Sequence, residues 1–347
     1  MAYSTIPKGS LYMNTKLYTG DSASSRTIAG IGFEPSLTWN KPRTTANDHQ
    51  WVDAVRGGGK VISSNLADAE YTAGNTILSF NSDGFTCGDG ASVNANGVNY
   101  VSWNWKANGA GSANTDGDIA STVSVNSTAG FSIVSYTGNG TGSQSVGHGL
   151  GLVPKIMFVK NLNSAQVWRV YVLSLGSDKG MILNTTATAG VDSSLWQSST
   201  ASSSIFYLGS SSSTNGNGNS MIAYIFSDIK GFSKMGSYTG NDNADGTFVY
   251  LGFKPAFVMI KRTNSANDWI MLDNKRNSFN VVDDRLVAND SAAEATTNLL
   301  DFVSNGMKMR ATYGGVNGAS DNYIYMAFAE NPFVATSGTN AIPVTAR

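Results

Sequence analysis

The residues able to do chemistry are few and scattered. The chain holds two histidines, His49 and His148, and one cysteine, Cys87. His148 lies in Gly147-His-Gly-Leu-Gly151, which reads either as a general base on a glycine loop or as a hydrogen-bonded turn. The corresponding slot in the first of the three repeats described below holds Ala29-Gly-Ile31, so the position does not require an imidazole and a turn residue is expected. One cysteine and two histidines in different surroundings give no zinc-ligand spacing. Arg56-Gly-Gly-Gly-Lys60 has the glycines of a phosphate cradle but neither the Gly-x-x-x-x-Gly-Lys spacing nor a following helix, and a mobile hairpin loop is expected there. Asn241-Asp-Asn-Ala-Asp-Gly246, centred near Asp242, alternates amides and carboxylates as a calcium loop does. It lacks the distal bidentate Glu, and an Asx-rich turn is the preferred reading. Paired carboxylates for glycoside hydrolysis depend on the fold rather than on spacing, but Glu occurs only at Glu34, Glu70, Glu294 and Glu330. The expectation is a protein with no catalytic residue, no metal and no cofactor, and glycan degradation is a disfavoured reading.

Tryptophans could stack on the apolar faces of sugars. Four of them, Trp51, Trp105, Trp168 and Trp269, recur at repeat landmarks, which is how core residues behave. Trp39 and Trp196 are left as the candidates for exposed receptor contacts, and receptor-binding residues are otherwise unassigned.

The elements that would carry these residues are strands. Charged residues make up 14% of the 347 positions, well below an ordinary soluble chain, while Gly, Ser, Thr and Asn abound. Such residues offer the backbone local hydrogen bonds that favour turns over helix. A net charge of −1 with no basic cluster argues against a nucleic-acid partner. No apolar run approaches the roughly 20 residues that span a bilayer, so no membrane insertion is expected. The lone cysteine and the absence of a signal-like start lead us to expect synthesis in a cytoplasm without disulfides.

Self-similarity is the strongest signal. Tyr-Thr-Gly begins at Tyr18, Tyr136 and Tyr238, and each is followed at near-equal distance by Pro35, Pro154 or Pro255 in a glycine-containing context. Trp51, Trp168 and Trp269 come next, and each copy closes on an aromatic run around Trp103–Trp105, Tyr224–Phe226 and Tyr323–Phe328. A period of roughly 100 residues is too long for a solenoid unit, so each copy is expected to be a domain with its own core, strung as beads. Lys155-Ile-Met-Phe-Val-Lys160 and Ala256-Phe-Val-Met-Ile-Lys261 are short apolar runs capped by lysine and read as buried central strands. The fold class is all-β, with three tandem β-sandwich or jelly-roll-like domains. The divisions are an N-terminal arm 1–17, a diverged first β-domain 18–106, a linker 107–128 able to allow relative motion, β-domains 129–228 and 232–334, and a C-terminal tail 335–347. Asp290-Ser-Ala-Ala-Glu-Ala295 is the one helix-like stretch, expected to decorate a loop.

Tyr238-Thr-Gly240, Tyr250-Leu-Gly-Phe-Lys-Pro255, Val258-Met-Ile-Lys-Arg262, Trp269 and Tyr323-Ile-Tyr-Met-Ala-Phe-Ala-Glu-Asn-Pro332 together resemble the repeated β-domains of large virion proteins of tailed, often marine, phages. The resemblance covers about residues 129–334, and such proteins are usually labelled tail fibre or structural protein. It implies location on a virion and an all-β fold, and it supplies no catalytic residue. From it follow two expectations: a tail fibre or host-attachment appendage, or an architectural part such as a capsid decoration. Other virion proteins and host-surface polysaccharide are the expected partners. A homo-oligomer, with a trimer favoured, is expected to dock through the N-terminal arm, where Leu11-Tyr-Met13 offers apolar anchors.

Overall fold

The structure, a computed structural model, describes residues 4–332. It is nearly all β, with antiparallel pairing in every named sheet. One pairing pattern recurs three times. In the first copy Met13–Thr19 pairs with Asn99–Trp105, which pairs with Leu37–Pro42, which pairs with Gln50–Asp53. The second repeats this with Phe131–Thr137, Ser220–Phe226, Ile156–Asn161 and Arg169–Val172. The third uses Ser233–Thr239, Asn322–Ala329, Pro255–Arg262 and Trp269–Asp273. A shorter pair recurs beside each set: Arg26–Ala29 with Gly84–Cys87, Gln144–Gly147 with Ile205–Leu208, and Phe248–Tyr250 with Gly306–Met309. In the third copy the sheet runs through eight strands and wraps its own apolar cluster as a near-barrel.

The central strands are buried on both faces, and the period of two explains how. Val258 and Ile260 point into a cluster belonging to the third copy alone, whereas Phe257 and Met259 between them point the other way. Met157 and Val159 against Ile156 and Phe158 do the same in the second copy. Those opposite faces meet in one cluster that draws on all three copies, including Trp39, Trp51, Trp103 and Trp105, then Phe158, Trp168, Tyr224 and Phe226, then Phe257, Trp269, Met326 and Phe328. The copies are therefore not beads: each has a cluster of its own, and all three share a larger one.

Two expected boundaries and one expected element change. Residues 107–128 are no loose linker, because Ser112–Asn114 and Ser121–Asn126 extend the second copy's sheet beside Phe131–Thr137. Within the expected arm, the described residues 4–17 are folded: Met13 already begins an edge strand, and Ile6 lies in the shared cluster. Gly9–Leu11 forms a short 3-10 turn against the third copy, with Ser10 N donating to Glu330 O at 2.9 Å. A Cβ at Gly9 would lie 2.1 Å from the Ala329 carbonyl oxygen, so this close approach admits no side chain. Residues 290–294 form a loop, not a helix, in which Asp290 accepts from Ala292 N. The tail 335–347 and the end of the third predicted domain lie outside the described residues.

Candidate functional site

The junctions between copies are built from polar residues that the register makes equivalent. Lys41, Lys160 and Lys261 stand at the same position of the third-listed strand in each sheet, and each is fully buried. None ends in solvent, contrary to a lysine that merely caps a strand. Lys41 Nζ donates to Ser291 O of the third copy at 3.0 Å. Lys160 Nζ donates to Ala67 O of the first at 2.9 Å, and Lys261 Nζ to Thr186 O of the second at 2.9 Å. First to third, third to second, second to first: the contacts close a ring.

A second set follows the same cycle. His49 N, Trp168 N and Trp269 N each donate to the side-chain oxygen of an equivalent asparagine, Asn65, Asn184 and Asn289 Oδ1 respectively. The residue equivalent to Trp168 and Trp269 is thus His49, not Trp51 as the order of aromatics suggested. Trp168 Nε1 donates to Ser63 O of the first copy at 2.8 Å, and Trp269 Nε1 to Ile182 O of the second at 2.9 Å. Because Trp39 Nε1 donates to His49 Nδ1, the imidazole carries its proton on Nε2 and donates to Val287 O of the third copy at 3.0 Å.

The third set breaks the symmetry. Arg56 is buried between Asp53 and Glu70, at 2.5 and 3.0 Å, and Tyr224 Oη of the second copy donates to Asp53 at 2.7 Å. Arg276 repeats this with Asp273 and Glu294, at 2.6 and 2.9 Å, and Trp103 Nε1 of the first copy donates to Asp273. Arg43 of the first copy adds a further bond to Glu294 at 2.6 Å. In the second copy the equivalent positions are Val172, Leu175 and Ala189, all three losing their charge together. The neighbour's position equivalent to Arg43 is Thr263, as shown by the matching bonds Glu294 N to Arg43 O and Ala189 N to Thr263 O. At this junction lies a groove of about 580 Å³ lined by Leu175, Ala189 and Thr263 among others.

Burial pushes the Lys41, Lys160 and Lys261 ammonium groups down to about 8. Burial works against the Arg56 and Arg276 charges, but the adjacent carboxylates outweigh it and hold both guanidinium groups above their ordinary value. Burial, helped by the Lys41 charge, takes His49 down to about 3 from 6.5, and burial lowers His148 too. At His49 the unfolded chain therefore binds a proton below about pH 6.5 that the folded chain refuses, so this histidine's contribution to stability is full above that pH and is lost on acidification. For His49 the expected loss between pH 6.5 and about 5 is roughly 2 kcal/mol. Urea titrations across that window should show it, and His49→Gln, which keeps an acceptor for Trp39 and a donor for Val287, should flatten the slope. An unchanged slope in the variant would remove His49 from the account.

The other candidates are placed as follows. Trp39 and Trp196, expected as exposed contacts, are 2% and 1% exposed. Trp39 faces Trp51 and Trp103 across paired strands, and the one-turn helix Ser193–Trp196 turns Trp196 inward onto Tyr171. Arg56 anchors a junction, so Arg56–Lys60 is not the mobile loop expected. His148 is a buried turn residue whose ring meets Ser202 O and Leu150 N. In the Asn241–Gly246 loop, the Asn241 and Asn243 side-chain oxygens accept from backbone N–H groups of the loop itself, and Asp245 pairs with Lys308. Among the described residues no group of three or more His, Cys, Asp and Glu side chains comes together to hold a metal ion, and no helix is long and apolar enough to cross a membrane.

Fold and junctions together define an all-β protein whose threefold repeat is closed on a shared aromatic core by buried cations. A family model described as a domain of unknown function, DUF7483, matches residues 8–332, and the chain belongs to that family. No curated protein matches it.

Proposed function

We propose that the chain is a non-enzymatic structural protein of a tailed-phage virion, acting as a tail fibre or host-attachment appendage. In this reading each copy is a β-sandwich domain, its larger sheet and its shorter pair enclosing the copy's own cluster. The observation that carries the structural role is the ring of junctions: buried ionic and hydrogen-bonding groups that would be catalytic candidates elsewhere are spent holding the copies together. The motifs around Tyr238 and Tyr323 support the virion assignment, through resemblance alone. A second reading, a capsid decoration, is favoured by the cyclic contacts, since a body with threefold pseudo-symmetry suits a site of local threefold symmetry on a shell. Assembly with other virion proteins and homo-oligomerisation, as a trimer, belong to the same proposal.

Antibodies against the purified chain should label intact particles in electron micrographs. Label at the tail supports attachment, label over the head supports decoration, and particles without the chain overturn both. The mass of the purified chain in solution tests the trimer directly.

A further inference from the structure

The groove between the second and third copies is where the ring departs from its own pattern. At the other two junctions the space is occupied by Arg56 with Glu70, and by Arg276 with Glu294 and Arg43. Here Leu175, Ala189 and Thr263 replace long ionic side chains with short ones, and about 580 Å³ stays open. That volume lies in the range of about 300–1,000 Å³ typical of small-molecule sites. We propose that this groove binds a short, uncharged oligosaccharide.

The lining selects that class. Ser174, Ser237, Thr239, Asn264 and Asn322 present hydroxyl and amide groups, which donate and accept in both directions as sugar hydroxyls do. The Ser174 and Ser237 hydroxyls have no partner among the described residues, so they are open to a ligand. Lys179 is the only ionisable cation of the lining and no carboxylate joins it, too little charge to hold a polyanion. Leu175 and Ala189 form too small an apolar floor for a lipid chain. The strand that presents Ser237 and Thr239 is fixed from its far face, where the Tyr238 ring packs into the third copy's own cluster, its hydroxyl donating to Val316 O at 2.6 Å and its ring stacking on Tyr323 at 4.9 Å. A wall already fixed in place loses little entropy when a ligand docks.

The inference rests on the attachment reading for its biological meaning, but it is tested on the purified full chain, apart from any particle. A panel of neutral di- and trisaccharides built from hexoses, deoxyhexoses and N-acetylhexosamines is titrated by calorimetry and NMR, with heparin-derived oligosaccharides as the anionic control. At least one neutral saccharide should bind saturably, with a dissociation constant on the order of 1 mM or tighter. The double variant Leu175→Arg/Ala189→Glu, which installs the pair found at the other junctions, should weaken it at least about tenfold. Should that variant melt early, Ser237→Trp at the exposed rim serves as the second block and should give the same loss. Absence of neutral-saccharide binding, binding of the anionic control alone, or affinity unchanged in a folded blocking variant each overturns the proposal, while leaving the particle-labelling result to stand separately.

Discussion

Arg276→Leu is expected to destabilise the protein by about 3–5 kcal/mol, because it leaves the buried carboxylate of Asp273 without its cation. The guanidinium is fully enclosed and makes three kinds of bond, to Asp273, to Glu294 and to Met271 O. Removing it strands a charge that the protein interior solvates poorly. The second copy shows what a compensated change looks like, with Val172, Leu175 and Ala189 in place of Asp, Arg and Glu. The variant Asp273→Val/Arg276→Leu/Glu294→Ala should therefore be more stable than Arg276→Leu by at least about 1 kcal/mol, although it removes more bonds. Some loss remains, since Trp103 Nε1 and Arg43 then lack their acceptors. Urea unfolding of the three proteins decides the matter. A triple variant less stable than the single one would mean that the ionic set contributes net stability and is not a balanced replacement.

The same residues show what a sequence reader could and could not see. The strands were legible because Val258 and Ile260 alternate with Phe257 and Met259, but alternation between two apolar faces looks like an unbroken apolar run. It says that both faces are buried and not what buries them. Hence Trp51, Trp168 and Trp269 were readable as core, while the shared cluster around them was not. Lys160 and Lys261 end such runs and resemble ordinary strand caps; their burial comes from loops of another copy, and nothing local announces it. A signal did exist, since Lys41 stands at the same register position, and Asp53-x-x-Arg56 recurs as Asp273-x-x-Arg276. Two of the chain's four glutamates, Glu70 and Glu294, follow these pairs, which in so Glu-poor a chain marks a shared duty. The groove was beyond reach, because it arises from Leu175 and Ala189, residues that attract notice only beside their charged equivalents. Trp39 and Trp196 misled because they fall outside the landmark positions, and a missing repeat partner is no evidence of exposure.

Trp168→Ala should cost about 3–5 kcal/mol, the usual penalty for emptying a large aromatic core site. The indole is fully buried, lies 5.1 Å from Trp51 of the first copy, and is stacked on Tyr224 at 6.3 Å. Its Nε1 also satisfies Ser63 O across the junction, so truncation leaves an orphaned carbonyl as well as a cavity. More telling than the size of the loss is how it is distributed. Beads on a string would melt separately, and the substitution would shift the transition of the second copy alone. A cluster shared by all three copies couples them, so a copy cannot unfold without exposing apolar surface on its neighbours. Calorimetry of the full chain should therefore show one transition, displaced as a whole by several degrees in the variant. Two or more resolved transitions, of which Trp168→Ala moves only one, would show that the shared core is too weak to unite the copies.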